Sequence, residues 1–482
     1  MPSENKLSIV GIGPGMRKRM TFQAVDAIKK SKFVVGYRPY LELVGDLLDG
    51  KEVISSSMGK EVDRAKAAVS LIDEGPVALV SSGDPNIYGM AGLGLEIASR
   101  SVNLDRIEIV PGVTSFTAAA CDAGIIFKKS VAIISLSDLL TPWSKIERRL
   151  KLASELGIPT ALYNPKSHRR EWQLNKALEI YGRDAIALIA KNVGREGEEI
   201  LWTKAEDLMD QDGLRDPIDM FTLVVLCGKS DRSVSYGSVT TEAKINIVGI
   251  GPGSPDMITL EAGELLASSK KIFGPERYLQ SVRGISKGDE VAHQGSCAER
   301  MSMRFKEAKA ASDKGDVSSI LTGGDPSIFS SAWRVLEEAK GVSAQGVDTQ
   351  GVGVHIASGV SAFSAVAARA GAPLVNDFIL LSGPDNPRMI AALADAGNGV
   401  AIYNVQGAEI ESVLQGIDPN RPCVLARDAA RSNEELIVLT SGDLKESRPS
   451  GFRFTLLIAS ENSYIKDGKI ITRRGYETRY SY

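Results

Sequence analysis

The sequence contains the same ordered set of motifs twice, and this duplication is the strongest constraint on its fold. The segment Leu7-Ser-Ile-Val-Gly-Ile-Gly-Pro-Gly15 returns as Ile245-Asn-Ile-Val-Gly-Ile-Gly-Pro-Gly253. In the same order, Ser82-Gly-Asp-Pro85 returns as Gly323-Gly-Asp-Pro326. A period this long indicates a duplicated domain, because solenoid units repeat at roughly 20–50 residues.

The duplication divides the chain into two units. A chain of 482 residues is also too long for a single hydrophobic core. We therefore predict one unit over residues 1–231 and a second, divergent copy over residues 244–482. The residues between them, 232–243, are polar and contain Gly and Ser, as expected for a linker.

Strands alternate with helices at the start of the first unit. Leu7–Ile12 and Phe33–Gly36 are apolar and rich in β-branched residues, which favours strands. Thr21 can cap a helix over Phe22–Ser31, and a second helix is predicted over Pro39–Leu48. This alternation predicts βαβ units and a mostly parallel sheet.

The pattern changes near Pro111–Ser115, beyond which the later strands have fewer long helices between them. A mixed sheet is expected there. Its predicted strands are Val131–Ser135, Thr160–Tyr163, Ala185–Ala190, Glu199–Thr203 and Phe221–Cys227. The predicted fold class is therefore α/β, with two tandem units that each contain two α/β lobes and a cleft between them.

Composition excludes several classes of function. A net charge of −3 gives no electrostatic footprint for nucleic acid. No apolar stretch reaches the length of a membrane helix (about 18 residues), and the first residues lack the apolar run of a signal peptide. Four widely spaced cysteines and three histidines do not form a metal-binding pattern, so no metal ligands are predicted. We expect a cytoplasmic protein with buried free thiols.

The first glycine-rich turn does not fit dinucleotide binding. The pattern Gly11-x-Gly13-Pro14-Gly15 is followed by Met16, where the dinucleotide-binding fingerprint has a third glycine. The second strand ends in Gly36-Tyr37-Arg38, without the acidic residue that would hold a ribose. A Walker-type lysine is absent as well. A tight turn with no ligand is the alternative to a binding loop.

A second loop is more specific for ligand binding. Ser81-Ser-Gly-Asp-Pro-Asn-Ile-Tyr-Gly-Met-Ala91 begins where a predicted core strand ends, which is where open α/β sheets bind ligands. Ser82 and Gly83 would let the main chain approach a ligand closely. Asp84 precedes a proline and is therefore held in an extended or turn conformation. The alternative is that Asp84 only caps the helix that follows.

These motifs resemble the tetrapyrrole methylases, a family of S-adenosylmethionine-dependent enzymes of corrin synthesis. The resemblance covers nearly the whole of each half. It rests on Val10-Gly-Ile-Gly-Pro-Gly15, Ser81-Ser-Gly-Asp-Pro85, Pro111-Gly-Val-Thr-Ser115 and Tyr163-Asn-Pro165. The Gly-Met-Ala run that ends at Ala91 and the stretch Tyr163-Asn-Pro-Lys-Ser167 are similar to the branch that methylates carbon 17 of precorrin-3B or cobalt-precorrin-3, with ring contraction.

The resemblance implies a binding site for S-adenosylmethionine in the cleft between the two lobes. The residues implied to line it are Pro14, Ser82, Gly83, Asp84, Ile87, Thr114, Ser115, Asn164 and Val193. Ring contraction also needs proton transfer by a positioned acid or base. The candidates are Tyr37, Lys60, Glu61 and Lys166, of which Lys60 and Glu61 could equally be the solvated start of a helix.

The implied acceptor carries many carboxylates, so basic residues should surround the cleft. The candidates are Arg38, Lys128, Lys129, Lys166, Arg169 and Arg170. Ordinary surface charge is the alternative for each of them. Relatives with this fold also methylate modified translation-factor residues or ribosomal RNA, which are competing acceptors.

The second half retains the glycine motifs but departs from the branch elsewhere. It has Phe329-Ser-Ser-Ala332 for the Gly-Met-Ala run and Asn404-Val-Gln-Gly407 for Asn-Pro-Lys-Ser. Its counterparts of the donor-site residues are Pro252, Gly323, Gly324, Asp325, Ile328, Ser361, Ala362 and Asn404. This half could methylate a second ring carbon, bind without catalysis, or act as a dimerisation module. The family resemblance implies a homodimer or an intramolecular pseudo-dimer.

Overall fold

A computed structural model describes residues 5–167, 172–210, 218–228, 234–237, 239–240, 243–340, 352–384 and 386–480. The strands of the first half are β1 Leu7–Gly11, β2 Phe33–Tyr37, β3 Glu52–Ser56, β4 Val77–Ser81, β5 Ile107–Val110, β6 Ile125–Phe127, β7 Ser130–Ser135, β8 Thr160–Tyr163, β9 Ile186–Lys191, β10 Glu199–Lys204, β11 Thr222–Cys227 and β12 Val234–Tyr236. Its helices are α1 Phe22–Lys30, α2 Arg38–Glu42, α3 Glu61–Ser70, α4 Ala91–Ala98, α5 Ser115–Asp122, α6 Trp143–Glu155, α7 Trp172–Tyr181 and α8 Ala205–Asp210.

The second half repeats this series. Its strands are β13 Ile245–Gly249, β14 Lys271–Phe273, β15 Asp289–Val291, β16 Ser318–Thr322, β17 Val354–Ala357, β18 Phe378–Leu381, β19 Gly399–Val405, β20 Pro422–Arg427, β21 Glu435–Thr440, β22 Phe454–Ile458, β23 Ser463–Lys466 and β24 Lys469–Thr472. Its helices are α9 Leu260–Ser268, α10 Glu276–Val282, α11 Cys297–Ser312, α12 Ala332–Ala339, α13 Ala362–Ala370, α14 Pro387–Asp395, α15 Ile410–Val413 and α16 Ser441–Ser447. None of the helices in the described ranges is long and apolar enough to span a bilayer.

The amino-terminal lobe of each half is a parallel sheet. The described strands run in the order β3-β2-β4-β1-β5 in the first half and β15-β14-β16-β13-β17 in the second. All pairings in both sheets are parallel. Every residue of the central strand β4 is buried, as expected when helices cover both faces of a parallel sheet.

The carboxy-terminal lobes of the two halves share one mixed sheet of ten described strands. Its order is β10-β9-β11-β8-β7-β18-β19-β22-β20-β21. The halves join at the centre, where β7 and β18 pair antiparallel from Ile133 opposite Phe378 to Ser130 opposite Leu381. The strand order reads alike outward from this junction, so the two halves are related by a pseudo-twofold axis.

The two halves also share their hydrophobic cores. Ala368, Ala372, Val375 and Ile471 of the second half are buried in the core under the first parallel sheet. Near the pseudo-twofold axis, the amide of Phe22 donates to the Ile258 carbonyl at 3.1 Å. The halves therefore form one continuous body.

Part of the predicted linker is packed against the first half. The strand β12, Val234–Tyr236, pairs antiparallel with β6 of the first half. Residues 232, 233, 238, 241 and 242 of the predicted linker lie outside the described residues. The unit boundaries themselves stay a prediction.

Most predicted elements form, and two expectations were wrong. The hydroxyl of Thr21 accepts the Ala24 amide at 3.0 Å, which confirms the predicted cap of α1. The helix predicted over Pro39–Leu48 is short, because α2 ends at Glu42 and the segment around Gly45 continues as a 3₁₀ turn. Glycine is a poor helix former. Three cysteines are buried as expected, but Cys297 is exposed at the start of α11.

A buried ion pair connects the halves beside the central junction. Arg149 on α6 donates to Asp377 at 2.7 Å and to the Ala396 carbonyl at 3.0 Å. The side chains of Arg149 and Asp377 are 2% and 6% exposed. The Tyr88 hydroxyl donates to the same carboxylate at 2.7 Å. Both charges are therefore desolvated and depend on each other.

We expect Arg149→Met to lower the free energy of unfolding of the full chain by about 3–5 kcal/mol, because it leaves Asp377 buried without its counter-ion. Lys151→Met on the same helix is the control, since Lys151 is 55% exposed and pairs with Glu147 at the surface. That control should cost at most about 0.5 kcal/mol. Urea unfolding followed by circular dichroism measures both, and equal losses in the two variants would contradict the assignment.

Candidate functional site

A cavity of ≈ 390 Å³ opens at the carboxyl ends of the strands in the first half. Pro14 follows β1, Ser82 follows β4, and Thr114 follows β5. From the other lobe, Asn164 follows β8 and Val193 follows β9. Strand ends of both lobes therefore converge on one space, as is typical of ligand sites in α/β proteins.

The floor of this cavity is bare main chain. Gly83 has a φ of +64°, and it exchanges two backbone hydrogen bonds with Gly13, at 2.8 and 3.2 Å. A Cβ on Gly112 would lie 2.3 Å from the Gly83 carbonyl oxygen. The two loops can therefore pack this closely only because residue 112 has no side chain. A Cβ on Gly83 would meet no protein atom nearer than Val113 O at 4.0 Å. The open face of Gly83 therefore points into the cavity.

Unusual backbone conformations surround the cavity and recur in the second half. Positive φ angles are uncommon for residues other than glycine and cluster at functional sites. The matching pairs are Tyr88 (51°) and Phe329 (50°), Asn164 (52°) and Asn404 (57°), and Asn192 (50°) and Asp428 (49°). The duplication has therefore preserved the strained turns that shape the site.

Asp84 fastens the loop that forms the cavity floor. Its Oδ1 accepts the Asn86 amide at 2.7 Å, and the side chain is almost fully buried. Burial raises the pKa of Asp84 to about 7, although the hydrogen bond from the Asn86 amide favours the charged form. The carboxyl group therefore holds the turn from Asp84 to Asn86 beneath the cavity.

The corresponding aspartate of the second half makes the equivalent contact and one more. Asp325 accepts the Ser327 amide at 2.8 Å through Oδ1 and the Gly359 amide at 3.0 Å through Oδ2. Burial raises its pKa as well. One carboxylate thus connects the loops that follow β16 and β17, the two strands that flank β13.

The wall formed by the second lobe carries hydroxyl and amide groups. The Tyr163 hydroxyl accepts hydrogen bonds from Ser115 Oγ at 2.9 Å and from the Phe116 amide at 3.2 Å. Burial raises the pKa of Tyr163 to about 12, so this phenol is neutral near pH 7. Asn164 donates to Ser135 Oγ at 3.0 Å, which holds the amide group at the end of β8.

All nine residues implied for the donor site line this cavity, together with two of the acid–base candidates. Tyr37 and Glu61 belong to the lining. Lys60 and Lys166 do not, although both are described. The Lys60 side chain is 59% exposed and pairs with Asp63 at the start of α3, which leaves it on the surface.

The predicted basic rim is replaced by other arginines. Of the rim candidates, Arg38, Lys128, Lys129 and Lys166 are absent from the lining, and Arg169 and Arg170 lie outside the described residues. The guanidinium groups that line the described cavity belong to Arg64, Arg195 and Arg474. Local patterns around these three residues gave no signal for them.

The second half supplies part of the wall of this cavity. Asn376 and Asp377 precede β18, while Arg474 and Tyr476 follow β24 at the carboxy-terminal end. No local sequence motif marks these four residues, because their proximity arises from the junction between the halves. The cavity of the first half is therefore incomplete without the second half.

The second half has its own cavity of ≈ 260 Å³. Its lining includes all eight predicted counterparts: Pro252, Gly323, Gly324, Asp325, Ile328, Ser361, Ala362 and Asn404. It is more restricted, because the Tyr278 hydroxyl lies 2.5 Å from the Cβ position of Gly323. Ala362 also replaces the hydroxyl that Ser115 provides in the first half.

Several known proteins are similar to this chain. The cobalamin biosynthesis protein CbiHC of Archaeoglobus fulgidus is 40% identical over 244 residues, covering 50% of this chain and 53% of that protein. The probable cobalt-factor III C(17)-methyltransferase of Salmonella typhimurium is 40% identical over 229 residues, which are 46% of this chain and 93% of that protein. The precorrin-3B C(17)-methyltransferase of Sinorhizobium sp. is 35% identical over 236 residues, which are 47% of this chain and 91% of that protein.

Each of these matches spans about half of this chain, and the chain spans about half the length of the Archaeoglobus protein. The family model of the tetrapyrrole (corrin/porphyrin) methylases, in contrast, matches residues 6–209 and again residues 244–445. The two matches coincide with the two halves seen in the fold and include most of the residues that line the two cavities. This chain therefore belongs to the tetrapyrrole (corrin/porphyrin) methylases and contains two copies of the family's domain.

Proposed function

We propose that the first half transfers a methyl group from S-adenosylmethionine to carbon 17 of a corrin precursor, with contraction of the ring. The acceptor would be precorrin-3B or a cobalt-containing precursor, cobalt-precorrin-3 or the cobalt-factor III for which one relative is named. The observation that carries the proposal is the cavity whose floor is the exposed main chain of Gly83. Two relatives that this chain nearly spans are named for methylation of carbon 17.

The residues of the cavity fit the proposed donor. Its volume, ≈ 390 Å³, lies in the usual range for small-molecule sites, about 300–1,000 Å³. The main chain at Gly83 can approach a ligand closely, and Thr114, Ser115 and Asn164 provide polar groups near apolar Val193. Bound S-adenosylmethionine would supply an electrophilic methyl group.

The protein's contribution is then alignment. Holding the reacting atoms in line, about 3–3.5 Å apart, can lower the activation barrier by about 7–11 kcal/mol. The conjugated ring supplies the electron pair, so no nucleophilic side chain is required. Both lobes border the cavity, through Pro14 and Gly83 on one side and Asn164 and Val193 on the other. We infer that this pairing of lobes fixes the donor relative to the acceptor.

We assign proton transfer during ring contraction to Tyr37, with Glu61 as a second candidate. Tyr37 ends β2 and lines the cavity on the side of α3. The Arg64 guanidinium lies 5.8 Å from the centre of its ring, a cation–π contact that helps to hold the phenol in place. Glu61 borders the same wall, with Arg64 at 3.6 Å.

We further infer that the halves act as an intramolecular pseudo-dimer. The support is the β7–β18 junction and the second-half residues in the first cavity. A second donor site in the carboxy-terminal half is an additional candidate. It is favoured by the repeated positive φ of Gly324 (+71°) and by the lining of that cavity. Calorimetry counting two bound donor molecules per chain would support it.

The direct test incubates the full chain with S-adenosylmethionine and cobalt-factor III without oxygen, and follows the product by mass spectrometry. We expect the addition of one methyl group at carbon 17 and a contracted ring. Methylation of RNA or protein alone, with no corrin product, would contradict the proposal.

Gly83→Ala tests whether the main chain of the first cavity holds the donor. The added methyl group would project into the cavity, so we expect the Kd for S-adenosylmethionine to rise at least about tenfold, or ~1.4 kcal/mol. Gly157→Ala is the matched control, because Gly157 also has a φ of +64° and no atom within 4 Å of its Cβ position. Both variants carry the same backbone strain. Equal donor affinity in the two, measured by calorimetry, would exclude Gly83 from the site.

Asp84→Asn tests the buried carboxyl through the pH dependence of stability. The folded-state pKa of Asp84 is raised from 3.8 to about 7, so its stabilising contribution is complete below about pH 4 and is lost as pH rises through 7. The amide side chain of the Asp84→Asn variant does not ionise, so the variant does not lose stability as the pH rises. We therefore expect the difference in Tm, variant minus wild type, to increase from pH 5 to pH 8.

The control for this experiment is Asp73→Asn, because the Asp73 side chain is 86% exposed. Its difference in Tm should stay constant over the same pH range. A constant difference for Asp84→Asn as well would show that the carboxyl does not titrate in this window.

A further inference from the structure

The carboxy-terminal segment of the second half is held against the first cavity. The Ala372 amide donates to the Ile470 carbonyl at 2.8 Å, which fixes β24 beside the start of the shared sheet. Asn376 then donates to the Arg473 carbonyl at 3.3 Å. Arg474 follows this anchor directly and lines the cavity. The position of Arg474 is therefore defined by contacts within the second half.

Arg474 differs from the other two arginines that line the cavity. Arg195 donates to the Pro14 carbonyl at 2.9 Å and to Ser82 Oγ at 3.3 Å, and Arg64 donates to Ser56 Oγ at 2.6 Å. Arg474 makes no hydrogen bond or ion pair with any residue in the described ranges. Its guanidinium lies 5.8 Å from the centre of the Tyr88 ring. It is thus a half-buried cation with unused donors.

No acidic side chain in the described ranges forms an ion pair with this cation. Asp377 lines the same wall, but its Oδ2 is paired with Arg149 at 2.7 Å. Its Oδ1 accepts from the Tyr88 hydroxyl at 2.7 Å and from the Ser135 amide at 3.0 Å. Both oxygens of Asp377 are therefore engaged by other donors, which leaves the charge of Arg474 available to a ligand.

We propose that Arg474 of the second half binds a peripheral carboxylate of the acceptor in the cavity of the first half. A guanidinium group can hold a carboxylate through two parallel hydrogen bonds, which fixes orientation as well as position. This inference rests on the proposed function, because it requires a ring that carries carboxylates. It assigns the second half a role in positioning the acceptor for the first half's reaction.

The test compares full-length Arg474→Ala, Arg474→Lys and Arg479→Ala with the wild type. Arg479 is the control, because it is exposed on the same segment and absent from the lining of the cavity. The readouts are the Kd for cobalt-factor III from absorbance titration, the Kd for S-adenosylmethionine, and Tm. For Arg474→Ala we expect the acceptor Kd to rise about 10- to 100-fold, with the donor Kd and Tm unchanged.

Two further results are expected from the same series. Arg474→Lys should bind the acceptor more tightly than Arg474→Ala but less tightly than the wild type. Lysine keeps the positive charge but cannot form the two parallel hydrogen bonds of a guanidinium group. Raising the salt concentration should weaken acceptor binding more in the wild type than in Arg474→Ala. A merely structural role for Arg474 would lower Tm and leave the salt dependence unchanged.

The outcomes separate the two proposals. An unchanged acceptor Kd in Arg474→Ala, with a wild-type chain that binds and methylates the acceptor, would overturn this inference and leave the proposed function standing. Equal losses in Arg474→Ala and Arg479→Ala would overturn it too, since the effect would be nonspecific. A wild-type chain that does not bind the acceptor at all would overturn both.

Discussion

The antiparallel pairing of β7 with β18 joins the two halves into one sheet. Each carboxy-terminal lobe alone would expose this strand as an open edge, which invites further pairing. In this chain the copy supplied by duplication covers it, from Ser130 opposite Leu381 to Ile133 opposite Phe378. The same junction buries Arg149 with Asp377 and brings the end of the second half to the first cavity. Assembly and site geometry are therefore coupled.

The proposed site uses loop conformation more than ionised side chains. Its floor is glycine main chain, and its turns place Tyr88, Asn164 and Asn192 at positive φ. Such conformations persist only where the surrounding structure enforces them. The buried carboxyl of Asp84 helps to enforce them by accepting the Asn86 amide. This division of roles suits a reaction in which the ring carbon is the nucleophile and the protein mainly aligns the reactants.

The parts of the site that could be predicted from the sequence are those encoded by local motifs. The segments around Gly11, Ser82 and Thr114 follow apolar strands, so their convergence at one sheet edge follows from parallel topology. The four residues from the second half have no local signature, because only the junction of the halves brings them to the cavity. The length of α2 was also mispredicted. A helix was expected over Pro39–Leu48, but α2 ends at Glu42, before the 3₁₀ turn that begins at Gly45.

The two halves have diverged around a shared framework. The second cavity retains the positive φ angles of Gly324 and Asn404, but the Tyr278 side chain narrows it. The first cavity, in contrast, is lined in part by residues of the second half. The central claim is that the donor binds on the main chain of the first cavity. A crystal structure of the full chain grown with S-adenosylhomocysteine tests it most directly. We expect the molecule in contact with the main chain at Gly83, between Thr114 and Val193. Density for it only elsewhere, with this cavity empty at saturating concentration, would show that the donor does not bind there.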